Sequence, residues 1–166
     1  ARRMMMLWTV ALIAFLYLWV ERRWGYAAGL IAASLAAVHP TLLAHGRLVT
    51  TDMPLAATTF VSLAALIAWI ERPGWARVAG FGLATTAMVL SKHSGLAYVV
   101  VMSLILLAAA GLGRGGFGEG PRWRALGLCA AQLSLVAVVM IFVIDAAYLF
   151  DRVGLSVAEI LAAPEP

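Results

Sequence analysis

Charge is scarce in this sequence. Only 12% of its 166 residues are Asp, Glu, Lys or Arg, against 64% hydrophobic, and the mean hydropathy is +0.97. A soluble domain carries about a quarter charged residues. The polar side chains here are too few to cover a water-facing surface, so the chain is integral to a membrane. Cysteine is nearly absent as well. The single Cys129 excludes an internal disulfide and leaves the redox compartment open. A basic stripe is also missing. The net charge of +4 would suit nucleic acid, but the 12 Lys and Arg residues stand in ones, twos and threes between apolar runs. No groove-entering motif accompanies them, and a nucleic-acid partner is not expected. No stretch resembles a signal peptide with a small-residue cleavage site. The glycine-rich "GRGGFGEGPRWR" lacks the Gly-Lys-Ser/Thr ending of a phosphate loop, so it reads as a flexible linker.

What the chain does have is long apolar runs. Six candidate helices follow from them: Met4–Val20, Trp24–Leu43, Met53–Ile70, Val78–Leu90, Gly95–Leu112 and Ala125–Ile144. A span needs roughly 20 apolar residues, with about 17 tolerated. The expected fold is therefore all-α, a polytopic transmembrane helix bundle of about six spans, with residues 1–166 forming part of a larger membrane domain. "SKHSG", Ser91 to Gly95, is the turn that divides a run too long for one span. His39 before Pro40 is expected to end or kink the second helix. Small residues from Ala27 to Ala37 favour close helix packing. Trp24, Trp69, Trp75 and Trp123 lie near helix ends and read as an interfacial aromatic belt.

The connectors then sort into two sides. One holds Arg22, Arg23, Arg72, Arg77, Arg114, Arg122 and Arg124; the other holds Arg2, Arg3, Arg47, Lys92 and Arg152. Short loops richer in Lys and Arg stay cytoplasmic, which places the first set inside and both termini outside. "HGRLVTTDMP" (His45 to Pro54), "SKHSG" and "DAAYLFDR" (Asp145 to Arg152) then share the extracytoplasmic face. The unusual polar chemistry is on one side.

Each polar residue there has a plain reading beside a functional one. Asp52 before Met53 and Pro54 suits a helix N-cap. An acid beside the positive end of a helix dipole can also hold a metal, orient an acceptor hydroxyl or take its proton. Arg47 is an interfacial anchor, a partner for Asp52, or a bidentate phosphate ligand. His45 is an anchor or a phosphate contact. Lys92 snorkels from a helix end or offers its ammonium to a lipid-carried phosphate. His93 is a turn residue or a further phosphate contact. Asp145 closes the last helix as a solvated end or as a weak site candidate.

The run "GYAAGLIAASLAAVHPTLLAHGRLVTTDMPLAATTFVSLAALIAWIERP", followed by "GFGLATTAMVLSKHSGLAYVV", resembles the membrane glycosyltransferases of the protein O-mannosyltransferase and lipid A aminoarabinose transferase type, which have the GT-C fold. "AAYLF", Ala146 to Phe150, is similar to a Tyr-x-Phe element further along such chains. The resemblance implies inverting transfer of a sugar from a polyprenyl- or dolichyl-phosphate donor to a protein or lipid acceptor. The reaction would take place on the extracytoplasmic face of a multi-pass protein, most simply of a bacterial inner membrane. By position Asp52 matches an acidic loop residue with a catalytic role. Lys92 matches the basic residue near the lipid phosphate, with Arg47, His45 and His93 as candidate companions. A divalent ion (Mg, Mn or Zn) at the phosphate, beside Asp52, is implied by some members. The family's first helix and the loop carrying its principal acid have no counterpart here, so the chain reads as an internal piece, incomplete for catalysis alone. Two readings of other classes stand beside this one, a transporter segment and a non-catalytic membrane scaffold subunit. A transporter would need polar groups deep within several spans, whereas these lie at the ends.

Overall fold

A computed structural model of the protein describes residues 2–48, 50–117 and 121–147. Among them all regular structure is helical: α1 (Arg2–Trp24), α2 (Tyr26–Ala37), α3 (Pro40–Arg47), α4 (Asp52–Glu71), α5 (Trp75–Ser91), α6 (Gly95–Gly111) and α7 (Arg122–Ala147), with a 3₁₀ turn at Gly115–Phe117. All-helical structure is what the bilayer demands, since a helix satisfies its own backbone polar groups without water.

Each run expected to be helical is helical. Three helices are long and apolar enough to cross a membrane, α1, α4 and α7. The bent pair α2–α3 makes a fourth if it is one span. Helices α5 and α6 have 17 residues each, at the short limit. The apolar length from Trp75 to Gly111 is divided by the polar turn between them, which takes residues from both.

The chain path explains where the polar residues collect. Gly25 is the only residue between α1 and α2 and has φ +89°, which a Cβ would strain. It folds α2 back along α1, and Gly29 is seated so close that a Cβ there would lie 3.1 Å from the Tyr17 carbonyl oxygen. At Val38–His39 the path bends by 58° into α3. His39 is extended (φ −67°, ψ 120°), as a residue before proline should be, and Pro40 opens α3 without needing a backbone donor. The expected kink is present. Helix α3 ends beside the beginning of α1, with Gly46 against Thr9. Helix α4 then returns, packed on α1 through edge-on rings of Phe15 and Trp19 against Phe60.

The main core joins α4, α5, α6 and α7 and contains Leu66, Trp69, Phe81, Met102, Leu106, Cys129 and Val136. Trp69 is fully buried and packs against Phe81 with the rings tilted and their centres 5.5 Å apart, so it is a core residue and not part of an interfacial belt. Trp24, Trp75 and Trp123 are exposed near helix ends, as a belt requires. The linker also differs from expectation. Phe117 is buried, and a side chain at Gly116 would run into Pro73, so this part of the linker is packed onto the end of α4. Three buried hydroxyls donate inside their own helices. Ser62 donates to the Thr58 carbonyl at 2.8 Å, Thr85 to Phe81 at 2.8 Å and Thr86 to Gly82 at 2.7 Å. Outward faces carry exposed Met4, Leu7, Leu30, Ile31, Leu104 and Phe142, an arrangement suited to lipid.

Candidate functional site

Four helix ends meet at one pole of the bundle. The end of α3 brings His45, the start of α4 brings Asp52, the end of α5 brings Lys92, and the start of α6 follows within three residues. Lys92, the residue after α5, donates through Nζ to Asp52 Oδ1 at 2.8 Å across 40 residues of sequence. His45 Nδ1 lies 3.6 Å from Asp52 Oδ2. Thus "HGRLVTTD" and "SKHSG" do share one end of the molecule.

The local geometry corrects the expected helix cap. Thr51 occupies the N-cap position and Asp52 is the first helical residue. No side chain caps this end. The carboxylate remains beside the positive end of the α4 dipole, but it is turned toward Lys92. Arg47 is not its partner. Asp52 pairs with Lys92 and has His45 Nδ1 3.6 Å away, while Arg47 is exposed and makes no ion pair among the described residues. His45 and Arg47 are two positions apart on α3, about 200° around a helix of 3.6 residues per turn, so they face different ways. His93 is exposed in the turn with no side-chain partner among the described residues. The candidates therefore divide: Asp52, Lys92 and His45 are brought together, and Arg47 and His93 are not joined to them. Asp145 lies near the end of α7 and pairs with no described residue. Tyr148–Phe150 of the "AAYLF" element, and Arg152, lie outside the described residues.

Lys92 is held by how its turn is built. Its backbone N–H donates to the Met88 carbonyl at 3.3 Å, and its own carbonyl accepts from Gly95 N–H at 2.8 Å. Gly95 is buried, and a Cβ on it would lie 2.9 Å from the same Met88 oxygen. Only a residue without a side chain lets α6 begin this close to the end of α5.

A cleft of about 300 Å³ opens beside Asp52. Asp52, Leu55, Ala56, Thr59, Phe60 and Leu63 line it from one stripe of α4, and Tyr98 lines it from the first turn of α6. Its polar end is at the carboxylate and its apolar end runs down the helix. Tyr98 and Thr50 are the residues that sequence reasoning passed over. The Thr59 hydroxyl and His45 Nδ1 are buried atoms without a hydrogen-bond partner among the described residues, and the Thr50 side chain favours the charged Asp52 carboxylate, after the larger effect of Lys92. Their proximity to Asp52 in the chain, and Tyr98's to the "SKHSG" turn, was the available signal.

The residues present do not by themselves make a metal centre. Among the described residues no three His, Cys, Asp or Glu side chains are grouped. The one carboxylate at this pole that meets the cations already faces an ammonium at 2.8 Å, which opposes a second cation. Hard divalent ions take six or more oxygens, so oxygens from a bound phosphate or from elsewhere would have to complete the shell.

The opposite pole carries most of the arginines, with Glu21 and Glu71 among them. Arg23 forks onto Glu71 with Nη1–Oε1 at 2.6 Å and Nη2–Oε2 at 2.8 Å, and its guanidinium lies 4.7 Å from the Trp19 ring centre. The charged residues of the described chain all lie near helix ends, which argues against a polar path through the bundle.

Comparison with known proteins supports one family. The profile of the family described as dolichyl-phosphate-mannose-protein mannosyltransferase matches residues 1–142. No curated protein and no solved structure matches the chain at a significant level.

Proposed function

Because this chain belongs to the dolichyl-phosphate-mannose-protein mannosyltransferase family, a family of membrane glycosyltransferases of the GT-C type, we propose that its polar pole is the donor-phosphate end of a sugar-transfer site. The observation that carries this reading is the Lys92–Asp52 pair, with His45 beside it, at the mouth of a cleft that turns apolar with depth. The donor is a polyprenyl or dolichyl phosphate sugar. Its phosphate meets the Lys92 ammonium, with His45 nearby, and its chain lies along Leu55, Phe60 and Leu63. The acceptor is a hydroxyl of a protein or lipid, and transfer takes place on the extracytoplasmic face.

The chemistry follows from the charges. The acceptor oxygen attacks the anomeric carbon and the carbon–oxygen bond to phosphate breaks on the opposite face, inverting that centre. The leaving group is a phosphate anion, so a fixed ammonium where the charge develops lowers the barrier. Asp52 takes the acceptor proton as general base. An ion-paired carboxylate is a weak base, but an incoming phosphate competes for Lys92 and releases Asp52. Donor binding thereby prepares the base. Any divalent ion would act at the same phosphate, and no step above depends on it.

The test uses the full-length gene product at matched protein levels, with transfer from a lipid-phosphate sugar measured directly. Asp52→Asn should lower kcat by about 10²- to 10⁴-fold, the usual worth of a general base. Lys92→Gln should raise the donor KM and lower kcat, and Lys92→Arg should recover part of the loss. Normal transfer by both neutral variants would refute the assignment.

A further inference from the structure

A second groove lies at the same pole but on another face of α3. Met6, Thr9, Val10 and Ile13 of α1 line it opposite Leu42, Leu43 and the Gly46–Arg47 end of α3, and it encloses about 380 Å³. At one end of the groove Gly46 lets the two helices touch. A Cβ there would lie 2.6 Å from Thr9 Oγ1, so only a residue without a side chain lets α3 meet α1 this closely. The walls are apolar and the mouth is cationic. Arg47 stands at the mouth, exposed, with no ion pair or side-chain hydrogen bond among the described residues. Arg3 precedes Met6, Val10 and Ile13 by three, seven and ten residues, which puts it on the same face of α1 at the same end. It too is exposed and has no ion pair among the described residues. The nearby acid, Asp52, is engaged with Lys92 and His45.

We propose that this α1–α3 groove seats an anionic phospholipid of the surrounding membrane, with an acyl chain against Val10, Ile13 and Leu42 and its phosphate held by Arg47 and Arg3. The occupant follows from charge complementarity. Two guanidinium groups with no ion pair among the described residues, at the end of an apolar groove, match a negative phosphate on a hydrocarbon chain, and arginine suits phosphate because it can bind two oxygens at once. A neutral lipid, or an apolar helix, would leave both charges unanswered. The seat is distinct from the donor site, because His45 faces Asp52 while Arg47 faces away from it. The inference therefore stands or falls independently of the roles given to Asp52 and Lys92.

The full-length protein in detergent is titrated with phosphatidylglycerol, with phosphatidylcholine and with inorganic phosphate, and thermal stability and retained lipid (by native mass spectrometry) are recorded. Phosphatidylglycerol should be retained and should stabilise; the other two should do neither. Arg47→Gln should weaken the phosphatidylglycerol response about tenfold or more, the loss of one charged hydrogen bond. Val10→Trp, which fills the groove from a lipid-facing position, should abolish retention without removing charge. Equal response to phosphatidylcholine, or to inorganic phosphate alone, would overturn the proposal. So would a response lost in Lys92→Gln and kept in Arg47→Gln, since the phosphate would then sit at the donor site.

Discussion

Replacing Gly95 by alanine tests how Lys92 is positioned. Gly95 is the first residue of α6, and its Cβ would lie 2.9 Å from the Met88 carbonyl oxygen and 3.1 Å from the carbonyl carbon. Both are main-chain atoms inside α5, which a rotamer change cannot move. Relief requires α6 to draw away from α5. Because the same Met88 oxygen accepts the Lys92 N–H, that movement displaces the turn carrying the ammonium. Crowding of this kind costs about 1–3 kcal/mol, and alanine's better backbone propensity returns about 0.5–1 kcal/mol at most. The net expectation is a loss of about 0–2.5 kcal/mol, the difference of those two effects. Gly80 is the control: it lies within α5, and a Cβ there has no atom within 4 Å. Gly80→Ala should be neutral or stabilising by about 0.5–1 kcal/mol. The assay is thermal unfolding of the two full-length variants in one detergent, with the donor KM measured alongside. If Gly95→Ala unfolds no earlier than Gly80→Ala, the close approach of α5 and α6 is not as described. If it is destabilised but keeps the wild-type donor KM, the turn does not position Lys92 for phosphate.

At the other pole, Arg23→Gln or Glu71→Gln should destabilise by no more than about 1 kcal/mol, because a half-exposed pair is screened even when it is bidentate. Donor and acceptor KM should stay unchanged, and a shifted donor KM would contradict a purely structural role for that pair. For membrane sidedness, His93→Cys places a thiol on an exposed turn of the polar pole, against a native Cys129 that is buried. An impermeant maleimide should label it from outside intact cells, and labelling only after permeabilisation would reverse the topology.

Some of the fold was legible because it depends on local chemistry. His39–Pro40 read as a kink because proline restricts the residue before it, and the bend is there. "SKHSG" read as a turn because a lysine is costly at mid-bilayer, and α5 ends where it begins. The joining of that turn to "HGRLVTTD" followed from counting crossings. What failed depends on which side of a helix faces protein. In a water-soluble helix the polar face gives that direction away. Here lipid and core are both apolar, so Trp69 looks like Trp75 in sequence, yet one is buried and the other exposed. The same blindness hid the direction of Arg47. Its separation of five residues from Asp52 suggested a pair, but the break between α3 and α4 turns it toward α1 instead.

The Arg23–Glu71 and Lys92–Asp52 pairs show why one pole is the better candidate for chemistry. Arg23 and Glu71 meet fork to fork, so both carboxylate oxygens and two guanidinium nitrogens are used. Little is left with which to bind anything else. Lys92 uses one of its three ammonium hydrogens on one Asp52 oxygen, and Oδ2 faces His45 Nδ1 at 3.6 Å, beyond hydrogen-bond distance. Each charge also suits its own helix end, the acid at the start of α4 and the ammonium just past the end of α5. The pair therefore does not depend on mutual contact to be tolerated. A phosphate can take the lysine without stranding the aspartate, because the α4 dipole and His45 still favour the carboxylate. A fork-to-fork arginine pair has no such freedom, and that difference, more than the presence of charge, marks the Asp52 pole as the place where a ligand can enter.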